Sequence, residues 1–321
     1  MINGELIDLA AGDYRARIAT SGATLVHLRR AGSDLIIPFD AEVSLPEGWQ
    51  GKTLVPWPNR IVGALYAYRG EEYPVPCNEP ETGSALHGLV GWADFQVVAT
   101  SAGDDAVGDA PSSVALELTL PGSYAYPWSL QVDVRFALDA RAGLTVAATT
   151  TCLGAGAPAA PDAVGAPESD GLLAPAPYGV SFHPYLTRSV LLDECVLQVP
   201  AARVLDVDER MAPAAERDVA GTDWDWRAGR PVGAVSTDNA YTGLPQGPWE
   251  VRLTGGEAGR TVVMSAEAPW VQVYTAEHLG RRGVAVEPMT CPPDAFNSGR
   301  DLVELAVGRT HSFSYSLRED D

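Results

Sequence analysis

Two titratable side chains stand in this sequence where a proton could be moved. His183 lies in Ser181-Phe182-His183-Pro184-Tyr185-Leu186, wedged between an aromatic residue and a proline. Glu287 ends the run Gly283-Val284-Ala285-Val286 and is followed by Pro288. Imidazole titrates near neutrality, and a carboxylate among apolar residues is costly unless paired, hydrogen-bonded or protonated. Four further stretches carry groups that hydrogen-bond hydroxyls: Asn59 and Arg60 in PWPNRI beside Trp57, His87 before Gly88 in LHG, Asp238 in TDNAY, and Gln272 in VQVYT. On local pattern alone each has a plainer reading. His183 then serves as a core histidine, Glu287 escapes to solvent, and Asn59-Arg60 and Asp238-Asn239 are turn residues.

The elements that must position these groups are strands. A residue before proline is pushed toward extended geometry, so His183 shares a face with Ser181 and Phe182 takes the other. Val284 and Val286 oppose Ala285 and Glu287, and Gln272 and Tyr274 oppose Val271 and Val273. Pro184 and Pro288, which lack the N–H a ladder needs, are expected to end their strands. The period of two recurs in Leu130, Val132, Val134, Phe136 and Leu138, in Val114 to Leu120, and in Phe313, Tyr315 and Leu317. Such alternation marks half-buried strands. RARIAT (15–20), TLVHLR (24–29), TVVMSA (261–266), VQVYT (271–275) and GVAVE (283–287) read as shorter ones. Long amphipathic helical patterns are lacking, while 32 glycines and 25 prolines supply turns. The expected fold class is all-β, with antiparallel sheets in a sandwich and one domain over 1–321. The Ala/Pro/Gly-rich stretch 154–177 reads as a flexible insertion between strands, and 243–248 as a turn.

Composition narrows the functions. The chain has 321 residues and 46% hydrophobic residues, enough for a large core. Its net charge of −20 argues against nucleic acid and anionic membranes as partners. No apolar run approaches the ~20 residues of a membrane span, and MINGELIDLA is no signal peptide, so the expected compartment is the cytoplasm. Cys77, Cys152, Cys195 and Cys291 are scattered and read as reduced thiols. There is no nucleotide-binding fingerprint and no paired metal-ligand motif, so no cofactor and no metal is expected.

Taken together, PWPNRI, LHG, YGVSFHPYL, TDNAYTGL, VQVYT and VAVEP followed by PPDAFNSG resemble the aldose 1-epimerase, or galactose mutarotase-like, family in order and spacing. The resemblance runs from about residue 10 to residue 318. It implies a β-supersandwich with an open sugar cleft. It also implies His183 as general acid, Glu287 as general base, and Arg60, His87, Asp238 and Gln272 as holders of sugar hydroxyls. Asn59 and Tyr185 are expected in the same site. Two departures from the family pattern, Leu89 after Gly88 and Phe182 before His183, bear on the choice of sugar.

The function so implied is interconversion of the α and β anomers of a free aldohexose, galactose or glucose by default, by a cofactor-free monomer or homodimer. A non-catalytic sugar-binding protein of the same fold is the alternative from another class. A mutarotase for a phosphorylated or sulfonated sugar is the alternative substrate, with Arg188, Arg281 or Arg282 as its cationic subsite. Trp57, Tyr178 and Trp224 are candidates to stack on a sugar ring. A zinc site of His87, His183 and Glu287 lacks the short two-ligand motif common in such sites. A serine hydrolase built on Gly179-Val180-Ser181-Phe182-His183 lacks the second glycine of a nucleophile elbow.

Overall fold

The computed structural model describes residues 2–103, 107–155, 174–256 and 259–320. Strands dominate, and the α-helix among the described residues, Ala295–Ser298, is a single turn. The pairing between named strands is antiparallel throughout. A four-stranded N-terminal sheet takes Leu6–Ala11, Tyr14–Ala19, Thr24–Arg30 and Ser33–Asp34 in order. A nine-stranded sheet contains the long hairpin Trp128–Asp139 and Gly143–Ala155, with the C-terminal strand Thr310–Asp320 paired beside it. An eight-stranded sheet runs through Arg203–Val207, Asp238–Thr242, Trp270–Tyr274, Gly283–Met289 and Ser181–Phe182 to Thr53–Leu54.

One apolar cluster, running from Ile7 to Leu317, draws on all three of these sheets. The nine-stranded sheet supplies Val132, Val134, Phe136, Phe313, Tyr315 and Leu317, as the alternation predicts. The eight-stranded sheet supplies Val271, Val273, Val284 and Val286. Phe182 joins the layers, its ring 4.9 Å from that of Tyr315 and 6.1 Å from that of Phe313. Because side chains alternate, burying these residues turns His183, Gln272 and Glu287 to the opposite face of the same sheet.

Two expectations need correction. Pro288 does not end its strand: Gly283–Met289 continues through it, with Pro288 opposite Val271 and Met289 opposite Trp270. The N–H groups of Val286 and Thr290 donate to Pro184 and Val180, so the nitrogen of Pro288 faces the same side. There the neighbouring chain is itself interrupted at His183-Pro184, between Ser181–Phe182 and Tyr185–Thr187, so the missing donor falls beside the gap. The stretch 154–177 is shorter as an insertion than it reads. Gly154 and Ala155 complete a long strand, and Ala176–Tyr178 pairs with Val303–Leu305. Residues 156–173 lie outside the described residues. No helix among the described residues is long and apolar enough to cross a membrane.

Candidate active site

On the free face of the eight-stranded sheet, register decides which groups meet. Glu287 lies opposite Gln272, and Gln272 opposite Ala240. In the adjoining row Tyr185, Ala285, Tyr274 and Asp238 follow one another across strands. Alanines at two positions of these rows leave room above the sheet. A cleft of about 210 Å³ results, lined by Trp49, Asn59, Arg60, Glu79, His87, His183, Tyr185, Asp238, Tyr274, His278 and Glu287, with Gly48 and Leu86. Volume alone does not identify a site: a depression of about 730 Å³ lies elsewhere, lined by residues such as Ser33, Arg188 and Arg282.

His183 Nε2 lies 3.2 Å from Glu287 Oε1, with both side chains almost fully buried. As an ion pair the two would hold each other charged. Burial opposes this on both sides, pushing the Glu287 carboxyl well above its usual range and the His183 imidazole down to about 3. Charge on the neighbouring Asp238 raises Glu287 further. The pair therefore holds one mobile proton between Oε1 and Nε2 over a wide range of pH. Glu287 Oε2 and His183 Nδ1 are buried without a hydrogen-bond partner, an arrangement that is costly unless a ligand completes it.

The surrounding groups are fixed by short hydrogen bonds. Asn59 and His87 both have left-handed backbones, with φ of 53° and 63°. His87 N–H donates to the Asn59 carbonyl at 2.8 Å, and Asn59 N–H donates to His87 Nδ1 at 3.1 Å. Gly88, at φ +73°, is needed beside them, since a Cβ there would sit 2.2 Å from the Val55 carbonyl oxygen. Burial first, then the nearby His183 and Arg60, pushes His87 well below the usual imidazole range. Neutral, with Nδ1 accepting, it carries its proton on Nε2 and can donate to a hydroxyl. Gln272 Nε2 donates to Asp238 Oδ1 at 2.7 Å. Arg60 donates through Nε and Nη2 to Glu79 at 2.7 and 2.8 Å.

One donor atom each of His87, His183 and Glu287 lies within 4.8 Å of the others, a grouping that invites a metal. A metal needs a bare ring nitrogen, and the Asn59 hydrogen bond leaves His87 with only its protonated Nε2. The residues fit a hydroxyl-binding site better than a metal site.

Of the residues singled out in the sequence, His183, Glu287, Arg60, His87, Asp238, Asn59 and Tyr185 line the cleft. Gln272 stands behind Asp238, and the Tyr185 hydroxyl donates to the Gly48 carbonyl at 2.7 Å. The aromatic candidates are corrected. Trp57 and Tyr178 are core residues, and Trp224 lines a different depression under the Arg217 guanidinium. Trp49 and Tyr274 line the cleft instead. Arg188 is buried against Glu319, Arg281 pairs with Asp193 and Glu277, and Arg282 lines the larger depression, so none supplies a cation here. Glu79, Trp49 and His278 carry no local signal in the sequence, whereas Tyr274 is legible there as a residue on the Gln272 face.

A profile of the family described as aldose 1-epimerase matches residues 5–159 and 167–318. Uncharacterized protein YihR of Escherichia coli (strain K12) is 37% identical over 316 residues, covering 98% of this chain and 93% of that protein. A crystal structure of a putative aldose 1-epimerase from Escherichia coli K12 matches with TM-score 0.78 and 21% identity, over 98% of this chain and 99% of that one. That of galactose 1-epimerase from Lactobacillus acidophilus NCFM matches with TM-score 0.80 and 16% identity, over 100% and 96%. At these identities the structures establish the shared fold, while the profile and the relative extend along nearly the whole chain. The chain belongs to the aldose 1-epimerase family, an isomerase class.

Proposed function

We propose that this protein interconverts the α and β anomers of a free, neutral aldohexose, with galactose and glucose as the first candidates. The observation that carries the reading is the buried His183–Glu287 contact at 3.2 Å, set among groups that bind hydroxyls. Opening the ring takes one proton from the C1 hydroxyl and delivers one to the ring oxygen as the C1–O bond breaks. That needs one base and one acid, and a pair holding one mobile proton supplies both. With the proton on Nε2, Glu287 accepts from the C1 hydroxyl and His183 donates to the ring oxygen, leaving an open-chain aldehyde. Rotation about C1–C2 presents the other carbonyl face. The reverse transfers then close the ring and restore the pair.

The remaining hydroxyls must stay fixed while C1 turns. The Nε2–H of His87, Nη1 of Arg60 and the carboxylate of Asp238 suit this, with Gln272 orienting Asp238. Every group the reaction needs is a side chain of the protein, so the reading calls for no cofactor. It places the reaction in the cytoplasm, with the protein acting as monomer or homodimer; the free thiols of Cys77, Cys152, Cys195 and Cys291 suit a reducing compartment.

The test is polarimetry on freshly dissolved α-galactose and α-glucose in low buffer. Accelerated approach to equilibrium with either sugar is expected. Saturable sugar binding with no acceleration would make the protein a binding module and sink the enzymatic reading.

A further inference from the structure

Arg60 is the arginine that lines the cleft, and its fork is already occupied. Nε and Nη2 donate to Glu79 Oε2 and Oε1 at 2.7 and 2.8 Å, while Nη1 makes only a 3.4 Å contact with Asn59 Oδ1. Glu79 is itself anchored. The Thr82 hydroxyl donates to Glu79 Oε2, and the N–H groups of Gly83 and Ser84 donate to the Glu79 carbonyl at 3.0 and 3.2 Å. Arg210, from a distant turn, donates to the Thr82 carbonyl through Nε and Nη2 at 3.3 and 3.2 Å. A chain of contacts thus runs from the turn at Arg210 through Thr82 and Glu79 to Arg60.

Two consequences follow. A bidentate carboxylate sets the plane of a guanidinium, so Glu79 decides where the remaining nitrogen, Nη1, points. It also cancels the one full positive charge among the lining groups. With the His183–Glu287 pair carrying one mobile proton and no net charge, and Arg60 balanced by Glu79, the lining offers an anion no uncompensated cation, and whatever charge remains on Asp238, whose carboxyl burial raises above its usual range, is negative. Burial works against Glu79, but the Arg60 and Thr82 hydrogen bonds hold its carboxyl below the usual range.

We propose that Glu79 is a positioning and specificity-determining residue: it aims Arg60 at a sugar hydroxyl and cancels its charge, so that a phosphate, sulfonate or carboxylate on the sugar gains nothing from it. This deepens the mutarotase reading and rests on it for the identity of the ligand.

The experiment compares wild type, Glu79→Gln and Glu79→Asp on glucose and glucose 6-phosphate, by polarimetry for turnover and calorimetry for binding. For Glu79→Gln, kcat on glucose is expected within about twofold of wild type and KM at least about fivefold higher. The preference for glucose 6-phosphate over glucose should rise at least about fivefold. Glu79→Asp keeps the charge but shortens the reach, so KM rises while the preference stays put. An unchanged preference in Glu79→Gln, or an equal loss of kcat on both sugars, overturns the proposal. If Glu79→Gln does not fold, Thr82→Ala frees the carboxylate without removing it, and an unchanged KM there overturns the proposal. Should wild type bind sugar without turning it over, the mutarotase reading fails while the binding ratio still judges Glu79. A wild type that binds neither sugar overturns both.

Discussion

Glu287→Gln separates chemistry from architecture at a single atom. The side chain keeps its size, its near-complete burial and its place opposite Gln272. The new amide can donate to His183 Nε2, so the 3.2 Å contact survives between neutral partners. Below the ordinary carboxylate range, where Glu287 is protonated in both the folded and unfolded states, folding stability should therefore change by no more than about 1 kcal/mol, whereas Glu287→Ala would leave a cavity and an unpaired His183 and cost about 2–4 kcal/mol. Loss of a general base costs about 10²- to 10⁴-fold in rate, or about 3–5 kcal/mol of barrier. Polarimetry extrapolated to zero buffer reads the rate, and urea denaturation reads the stability. The pH dependence adds a check with a defined sign. Burial raises the folded-state pKa of Glu287, so its contribution to stability is full below the unfolded value and is lost as pH rises through the folded one. The Gln variant has no such loss, and its stability relative to wild type should climb with pH above the ordinary carboxylate range. A Gln variant with wild-type kcat/KM would refute the base assignment, and a stability difference flat with pH would refute the claim that Glu287 is held protonated.

Two further predictions use the same geometry. His183→Asn should lose at least about 100-fold in rate. Since His183 is held down to about 3 in the fold, its contribution is full above the unfolded value of about 6.5 and lost as pH falls. Relative to wild type the Asn variant should thus gain up to about 1.4 kcal/mol per unit below pH ~6 in denaturant midpoints, and a constant difference would contradict this. Gly48→Ala should destabilise by about 1–3 kcal/mol, because Gly48 has φ +54° and a Cβ there would sit 2.1 Å from His278 Nε2 and 2.8 Å from the Tyr185 hydroxyl. A thermal midpoint unchanged from wild type would show that this turn does not brace the cleft wall.

What the sequence determined by itself is what depends on neighbours along the chain. Alternation at Val284, Val286 and Glu287, or at Val271, Gln272 and Val273, states which side chains share a face, because successive residues in a strand point oppositely. That sufficed for the all-β class and for placing Phe182 and His183 on opposite faces, but not for saying which face is the core: on local pattern His183 reads as a core histidine, and only the closed sheets turn Phe182 inward. The order of PWPNRI, LHG, YGVSFHPYL, TDNAYTGL, VQVYT and VAVEP pointed to the family and through it to the residues of the site. The tertiary structure decided everything that depends on register between distant strands. Only pairing places Glu287 opposite Gln272, and only the gap at His183-Pro184 lets Pro288 sit inside a strand. Trp57 and Trp224 were equally plausible sugar platforms in the sequence, yet one fills the core and the other lies in another depression, while Trp49 reaches the cleft from a loop with no periodic signal. The carboxylate that cancels Arg60 is nineteen positions away at Glu79 and is itself held by a turn that Arg210 braces. Electrostatic state follows the same division. Residue types named an acid and a base, but burial and a 3.2 Å contact determine that the two share one proton, because desolvation exists only once the sheets have closed over them.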